Sequence, residues 1–135
     1  MRCALAVAAV VTAAGCGEDE DHANRDRPAT TINVTAAIAD GRVNVSPEKI
    51  GAGPVRLIVS NQTGSAQALT FRTGGGDAGV TRTSAPIRPA STGTLEIDDV
   101  TEGRYEIRTS DRRVEPAAIT VGAPRASAQG ELLLP

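Results

Sequence analysis

From Ile32 onward, apolar and polar side chains alternate with a period of two, and this pattern limits the possible folds most strongly. The apolar positions of the first run are Ile32, Val34, Ala36 and Ile38. Alternation of this kind is typical of β-strands that bury one face and expose the other. No window has the three-to-four-residue periodicity of a substantial helix. The sequence therefore predicts an all-β protein.

The alternation recurs at intervals along the rest of the chain. Its apolar members are Val43 and Val45, then Val55, Leu57 and Val59, then Leu69 and Phe71, Leu95 and Ile97, Tyr105 and Ile107, and Ile119 and Val121. Gly, Pro, Asn and Asp separate these runs at spacings of about ten residues, which predicts a Greek-key β-sandwich of about seven to eight short strands over residues 31–122. The stretch Thr73–Arg82, which contains three consecutive glycines, is interpreted as a loop.

The sequence has few aromatic residues, so each of them is important for the packing of the core. Phe71 and Tyr105 are the only aromatic side chains in the sequence. Tyr105 follows Gly103 at the start of a late strand and resembles the tyrosine corner of Greek-key sandwiches, whose hydroxyl returns to the backbone. We expect Tyr105 to be buried and its neighbour Glu106 to be exposed on the opposite face.

The first fifteen residues have the layout of a secretory signal peptide. Arg2 supplies a positive charge, Ala4–Val11 is apolar, and small residues lead to Cys16. The apolar run is far shorter than the ~20 residues of a spanning helix. A cysteine directly after the cleavage site resembles a bacterial lipobox, although Ala13 stands where lipoproteins usually have Leu. The resemblance implies that Cys16 is diacylated and anchors the protein to the membrane, facing the extracytoplasmic side; a plain signal peptide is the alternative.

The segments that flank the predicted sandwich are polar or irregular. Residues 16–30 are interpreted as a flexible tether between the membrane and the domain. Their acidic run, Glu18–Asp21, is expected to be a solvated spacer, with loose cation binding beside His22 as the alternative. The tail, residues 123–135, ends in three leucines before Pro135. These leucines either dock on the sandwich or a partner, or belong to a frayed terminus.

Charge and cysteine content exclude several classes of function. With 14 basic and 16 acidic residues, the chain lacks the dense basic surface of a nucleic-acid-binding protein. Cys3 lies in the leader and Cys16 is assigned to the lipid, so the domain has no thiol for a disulfide, a metal or a nucleophile. The single histidine, His22, lies in the tether, which leaves no base for a Ser-His-Asp triad. We therefore expect no enzyme activity.

Three segments resemble the cupredoxins, the blue-copper β-sandwiches. Ser46–Val55 resembles the pattern S-P-x-x-I-x-x-G-x-V at the start of that domain. Asn61–Phe71 aligns without a gap on the plastocyanin-like pattern N-x-x-G-x-P-H-x-x-x-F, and Gly103–Thr109 resembles G-x-Y-x-F-x-C. The resemblance implies a cupredoxin-like sandwich.

The same resemblance implies that the copper ligands have been replaced. A blue-copper site needs a cysteine thiolate, two imidazoles and a weak axial thioether. The first histidine falls on Gln67, the cysteine on Thr109, the second histidine on Arg112, and the axial methionine near Ala117. Residues 31–122 contain no His, Cys or Met, so a small shift of the alignment restores none of these ligands. We expect no copper, no other cofactor and no electron transfer.

Together these features predict a membrane-anchored, extracytoplasmic lipoprotein. Its cupredoxin-like sandwich is expected to be a non-catalytic binding or interaction module, and the candidate partner is a protein. The alternative is a carrier of a small ligand or of a hard metal ion held by carboxylate oxygens. Its candidate ligands are Asp77, Asp98 and Asp99. The adjacent pair Asp98 and Asp99 also suits a turn at the end of a strand.

Overall fold

The computed structural model describes residues 29–39, 41–76 and 79–126. The predicted signal peptide, Cys16, the acidic run, Asp77 and the three leucines near the C-terminus lie outside these residues. The nine strands of the described part are β1 (Ile32–Ala39), β2 (Arg42–Ser46), β3 (Lys49–Ala52), β4 (Val55–Asn61), β5 (Leu69–Thr73), β6 (Thr81–Thr83), β7 (Ser91–Ile97), β8 (Gly103–Thr109) and β9 (Ala117–Pro124). In the same residues, no helix has the length and apolar character needed to span a membrane.

The strands form two mixed sheets, which confirms the predicted all-β sandwich. The four-stranded sheet has the order β2-β1-β4-β7, and the five-stranded sheet has the order β3-β9-β8-β5-β6. β1 runs parallel to β4 and β3 runs parallel to β9, whereas the other neighbours are antiparallel. The inward side chains of both sheets meet in one hydrophobic core.

The two strands that correspond to none of the seven alternating apolar runs are β3 and β6, which brings the total above the predicted seven to eight. In β3, only Ile50 and Ala52 alternate with outward residues, so the period-two signal is too short to stand out. β6 has three residues, all exposed, at the edge of its sheet. The interpretation of Thr73–Arg82 as one loop is therefore wrong at its ends, because Thr73 belongs to β5 and Thr81–Thr83 pairs with β5. Between them, Gly74–Gly76 forms a short 3-10 turn.

Alternation along each strand determines which side chains enter the core. In β4, Val55, Leu57 and Val59 are buried, while Arg56 is exposed on the other face. A shift of one residue in the pairing would move the whole apolar set to the solvent side. The register of β1 against β4, from Ile32 opposite Val55 onward, is therefore determined by burial as well as by hydrogen bonds.

Tyr105 occupies the centre of the core as the resemblance to a tyrosine corner predicts. Its ring stacks on Phe71 with the centroids 4.9 Å apart. The Tyr105 hydroxyl donates a hydrogen bond to the Thr101 carbonyl oxygen at 2.9 Å and lies 3.1 Å from the Thr101 Oγ1. The two aromatic side chains of the sequence thus join β5 and β8 at one point.

The expectation for Glu106 is only half right. The side chain lies on the outer face, opposite Tyr105, as predicted. However, it is half-buried, and its Oε2 accepts hydrogen bonds from Nε of Arg72 at 2.8 Å and from Nη2 of Arg72 at 2.5 Å. The cross-strand register of β5 and β8 places these two residues directly opposite each other, which sequence alternation alone does not reveal.

Substitution of Tyr105 separates the contribution of its hydroxyl from that of its ring. Tyr105→Phe removes the hydrogen bond to Thr101 and should lower the free energy of unfolding by about 0.5–1.5 kcal/mol. Tyr105→Ala also leaves a cavity beside Phe71 and should lower it by about 3–5 kcal/mol. The outward neighbour provides the control, since Arg104→Ala should change the free energy of unfolding by no more than about 0.5 kcal/mol. Urea denaturation measures all three variants, and equal losses for Arg104→Ala and Tyr105→Ala would contradict the assignment of faces.

Candidate functional site

The buried polar side chains of the described residues gather at one end of the sandwich. They are Asn61, Gln67 and Thr109, each at most 7% exposed. Asn61 is the last residue of β4, Gln67 lies just before β5, and Thr109 is the last residue of β8. We call this cluster the polar end.

Asn61 holds three segments of the polar end together. Its Nδ2 donates hydrogen bonds to the carbonyl oxygens of Ser65 at 2.8 Å and of Ile87 at 2.9 Å. Its Oδ1 accepts one from the backbone N–H of Thr63 at 3.0 Å and one from the Thr63 hydroxyl at 2.7 Å. The two donor hydrogens and two acceptor lone pairs of the amide are therefore all used. A fully buried polar group is tolerated when it is satisfied in this way.

Gln67 is fixed by its backbone as well as by its side chain. Its N–H donates to the Ile87 carbonyl at 3.0 Å, and its own carbonyl accepts from the Ile87 N–H at 2.8 Å. Its Nε2 donates to the Ser65 Oγ at 3.1 Å, and its Oε1 accepts from the Ser110 Oγ at 3.4 Å. The position that the cupredoxin resemblance equates with a histidine ligand thus belongs to a network of neutral hydrogen bonds.

The other three positions of that ligand set have different surroundings. Thr109 is buried beside Gln67, and its hydroxyl donates to the Asp111 carbonyl at 2.9 Å. Arg112 is exposed in a turn closed by a hydrogen bond from the Val114 N–H to the Asp111 carbonyl at 3.1 Å. Ala117 is partly buried at the start of β9. The structure therefore brings Gln67 and Thr109 to the same polar end and leaves Arg112 in solvent.

The residues at the four carried-over positions do not fit a blue-copper ion. Copper in such a site is held by thiolate, imidazole and thioether donors. The carried-over positions offer an amide, a hydroxyl, a guanidinium and a methyl group instead. The polar atoms of Gln67 and Thr109 already have hydrogen-bond partners, and the Arg112 cation carries the wrong charge for a metal ligand.

One charged pair lies in the turn after β8. Arg113 donates from Nε to Asp111 Oδ1 at 3.0 Å and from Nη2 to Asp111 Oδ2 at 2.8 Å. These bonds, together with the Arg113 backbone N–H, lower the pKa of Asp111 to about 2. A depressed carboxyl pKa contributes stability at neutral pH, and that contribution is lost as the pH falls from about 4 through about 2. The Arg113 side chain is almost fully exposed, although Asp111 is part-buried, so solvent screens the pair and it adds little to overall stability.

The carboxylates of the alternative hypothesis are not gathered in the described part of the chain. Asp98 and Asp99 are exposed and follow β7. Asp77 lies outside the described residues. Across 29–39, 41–76 and 79–126, no three His, Cys, Asp or Glu side chains lie close enough together to hold a metal ion.

Sequence reasoning missed Asn61 as the centre of the polar end. It appeared there only as the first letter of the pattern aligned on Asn61–Phe71. A local signal was present, because an Asn whose side chain accepts from the backbone two residues on forms an Asx-turn. The contact with Ile87, 26 residues away, could not be found from local sequence.

Comparison with known proteins identifies the fold. No family profile and no curated protein matches the chain. Among solved structures, auracyanin B is similar with a TM-score of 0.54 and 17% identity over 72% of this chain and 91% of that one. Auracyanin A, a blue copper protein from Chloroflexus aurantiacus, has a TM-score of 0.56 and 9% identity over 69% and 100% of the two chains. Auracyanin from Roseiflexus castenholzii has a TM-score of 0.51 and 12% identity over 71% and 99%. At these identities the likeness concerns the fold, which is a cupredoxin-like β-sandwich, as predicted.

Replacement of the Asn61 amide by a carboxyl group tests the polar end. In Asn61→Asp, an oxygen replaces the amino group that faces the Ser65 and Ile87 carbonyls. This arrangement favours the protonated acid and should raise the folded-state pKa of residue 61 above the ~3.9 of a free Asp. The variant should lose about 2–4 kcal/mol of unfolding free energy at pH 7. Because its folded pKa is raised, part of that loss should be recovered as the pH is lowered through that pKa.

The matched control is Asn44→Asp, the same chemical change at an exposed position of β2. It should alter the free energy of unfolding by no more than about 0.5 kcal/mol. Urea denaturation from pH 4 to pH 7 supplies the measurement. An Asn61→Asp protein as stable as its Asn44→Asp counterpart at pH 7 would show that the amide donors of Asn61 have no structural role.

Proposed function

We propose that the chain is a lipid-anchored, extracytoplasmic lipoprotein whose cupredoxin-like sandwich is a binding module that does not use copper. The observation that carries the copper-free part of this proposal is the hydrogen-bond network of the polar end, whereas the anchor rests on the lipobox resemblance at Cys16. The network includes Gln67 and Thr109, two of the four positions that the cupredoxin resemblance equates with metal ligands. The first of those positions, Gln67, is 3% exposed and bonded through both its backbone and its side chain.

The chemistry of the replaced positions supports a role without electron transfer. A redox centre needs a bound metal or cofactor whose potential the protein adjusts. The only histidine, the two cysteines and the one methionine of the sequence are His22, Cys3, Cys16 and Met1. They precede the sandwich, so no strand of the sandwich carries a soft or imidazole ligand.

The connection of the sandwich to the tether supports an outward-facing polar end. The chain enters β1 at Ile32, which pairs with Val55 at the start of β4. Asn61 lies at the other end of β4, about 20 Å away for a strand of this length. A tether that leads from Cys16 to β1 therefore reaches the end of the sandwich opposite the polar end.

A groove beside the polar end supports a binding role for this part of the molecule. It has a volume of about 390 Å³ and is lined by residues of the β6–β7 connection and of β7, among them Pro86, Ile87 and Ser91. Ile87 is also the backbone partner of both Asn61 and Gln67. The network thus fixes one wall of the groove, and a fixed wall loses little conformational entropy when a partner binds.

Restoring the copper ligands tests the proposed loss of the metal site. The parent protein should give no intense thiolate-to-copper absorption band when Cu(II) is added. The variant that combines Gln67→His, Thr109→Cys, Arg112→His and Ala117→Met should give one, because it supplies the soft ligand set at the carried-over positions. Visible absorption measures the band, and circular dichroism verifies that the variant is folded. A band from the parent protein would refute the copper-free module, whereas a folded but colourless variant would refute the assignment of the four positions.

Loss of Cys16 tests the proposed anchor. A single acyl chain alone binds a membrane only marginally, whereas the two chains of a diacylglyceryl group on Cys16 would hold the protein stably. Cys16→Ala should therefore release the protein from the membrane fraction or leave it unprocessed. The matched control is Cys3→Ala, which removes the leader cysteine and should change neither property. Fractionation and intact-mass spectrometry provide the readout, and unchanged retention with the same processed mass in Cys16→Ala would refute lipid anchoring.

A further inference from the structure

The outer face of the five-stranded sheet carries a group of cations. Register places Lys49 of β3, Thr120 of β9 and Arg104 of β8 in one row across the sheet. Arg108 of β8 and Arg72 of β5 point to the same side, because they alternate with the buried Ile107 and Phe71. We call Lys49, Arg72, Arg104 and Arg108 the basic face.

One carboxylate accompanies these four cations among the outward strand positions that the structure describes. It is Glu106, which bonds to Arg72 at 2.8 Å and lies 4.0 Å from the Nε of Arg108. Four cations and one carboxylate give these outward strand positions a net charge of +3, although the whole chain has a net charge of −2. The acidic residues of the protein are therefore concentrated elsewhere.

The strongest concentration of acidic residues is Glu18–Asp21, four consecutive carboxylates in the predicted tether. The described chain begins at Ala29, beside the edge of the sheet that carries the basic face. A methyl group added at Gly53, directly after β3, would lie 3.3 Å from the Ala29 Cβ. In addition, Arg125 Nη1 donates a hydrogen bond to the Thr30 carbonyl oxygen and Arg125 Nε donates one to the Ala52 carbonyl oxygen. The chain before Ala29 thus starts next to β3.

The distance from Ala29 to the basic face is short compared with the length of chain available. Seven residues separate Asp21 from Ala29, and they can span up to about 27 Å when extended. Lys49 lies four residues before Gly53, which corresponds to about 13 Å along the strand. Arg104 lies two strands away from Lys49, which corresponds to about 10 Å across the sheet. The acidic run can therefore reach at least two cations of the basic face.

We propose that the acidic run Glu18–Asp21 docks on the basic face of its own sandwich. Because only seven residues join the run to Ala29, its effective concentration at the face is in the millimolar range. The contact is electrostatic and solvent-exposed, so salt should weaken it. In the docked state the run covers Lys49 and Arg104 against other polyanions and shortens the reach of the tether. The proposal depends neither on lipid attachment nor on the absence of copper.

The single lysine of the sequence makes this contact directly measurable. A carbodiimide joins a carboxylate to a nearby lysine amine without a spacer, so a cross-link of Lys49 to Glu18–Asp21 reports their contact. The full chain is treated at low salt as a mixture of unlabelled and nitrogen-15-labelled protein, and the cross-linked peptides are identified by mass spectrometry. We expect peptides that join Lys49 to the acidic run within one isotopic form, with a loss of several-fold in yield at high salt.

Two sets of variants provide the controls. Arg104→Gln combined with Arg108→Gln keeps Lys49 and the acidic run but removes two charges, and it should reduce the cross-link several-fold. Glu18→Gln, Asp19→Asn, Glu20→Gln and Asp21→Asn together should abolish it. Acetylation of Lys49 by an activated ester verifies equal reactivity of the amine in every protein. A Lys49 that is reactive but forms no such cross-link would overturn the proposal. A cross-link yield that changes neither with salt nor in the arginine variants would also overturn it. Peptides of mixed isotopic form would do so as well, because they would identify a second copy as the occupant.

Discussion

The Asn61 side chain, with its four hydrogen bonds, is the interaction on which one end of the sandwich depends. A buried amide in a low-dielectric core is costly unless all its donors and acceptors have partners. Asn61 meets this requirement by binding the Ser65 carbonyl, the Ile87 carbonyl and Thr63, and so joins the end of β4 to two connecting segments. Ile87 in turn holds the Gln67 backbone in an antiparallel bridge.

The chemistry of the polar end follows from this arrangement. With the Gln67 backbone held by Ile87 and its side chain by Ser65 and Ser110, both polar atoms of the side chain at the position equated with a histidine ligand already have hydrogen-bond partners. The neighbouring Thr109 hydroxyl is directed to the Asp111 carbonyl. The cupredoxin-like frame is retained, and neutral hydrogen bonds stand where the resemblance puts soft ligands. Such a network can hold a rigid surface, and it is the observation on which the proposed binding role rests.

The parts of the fold that were predictable are those in which local sequence and burial agree. Alternation of Val55, Leu57 and Val59 and the position of Tyr105 both indicate which face is buried, and the structure agrees with both. β6 was not predictable, because its three exposed residues have no apolar pattern and pair only through the edge of β5. The bond between Arg72 and Glu106 depends on how β5 pairs with β8. Local sequence does not show this pairing, because the two residues are 34 positions apart. The partner of Asn61 at Ile87 was hidden for the same reason.

The most direct test of the closed polar end is nuclear magnetic resonance of the Asn61 and Gln67 side-chain amides during addition of Cu(II). The account predicts slow hydrogen exchange of the Asn61 Nδ2 protons, because both are bonded in the core. It also predicts that the paramagnetic ion leaves the resonances of Asn61, Gln67 and Thr109 sharp, since none of their polar atoms is free to bind it. Rapid exchange of the Asn61 amide together with stoichiometric broadening at Gln67 and Thr109 would contradict the account.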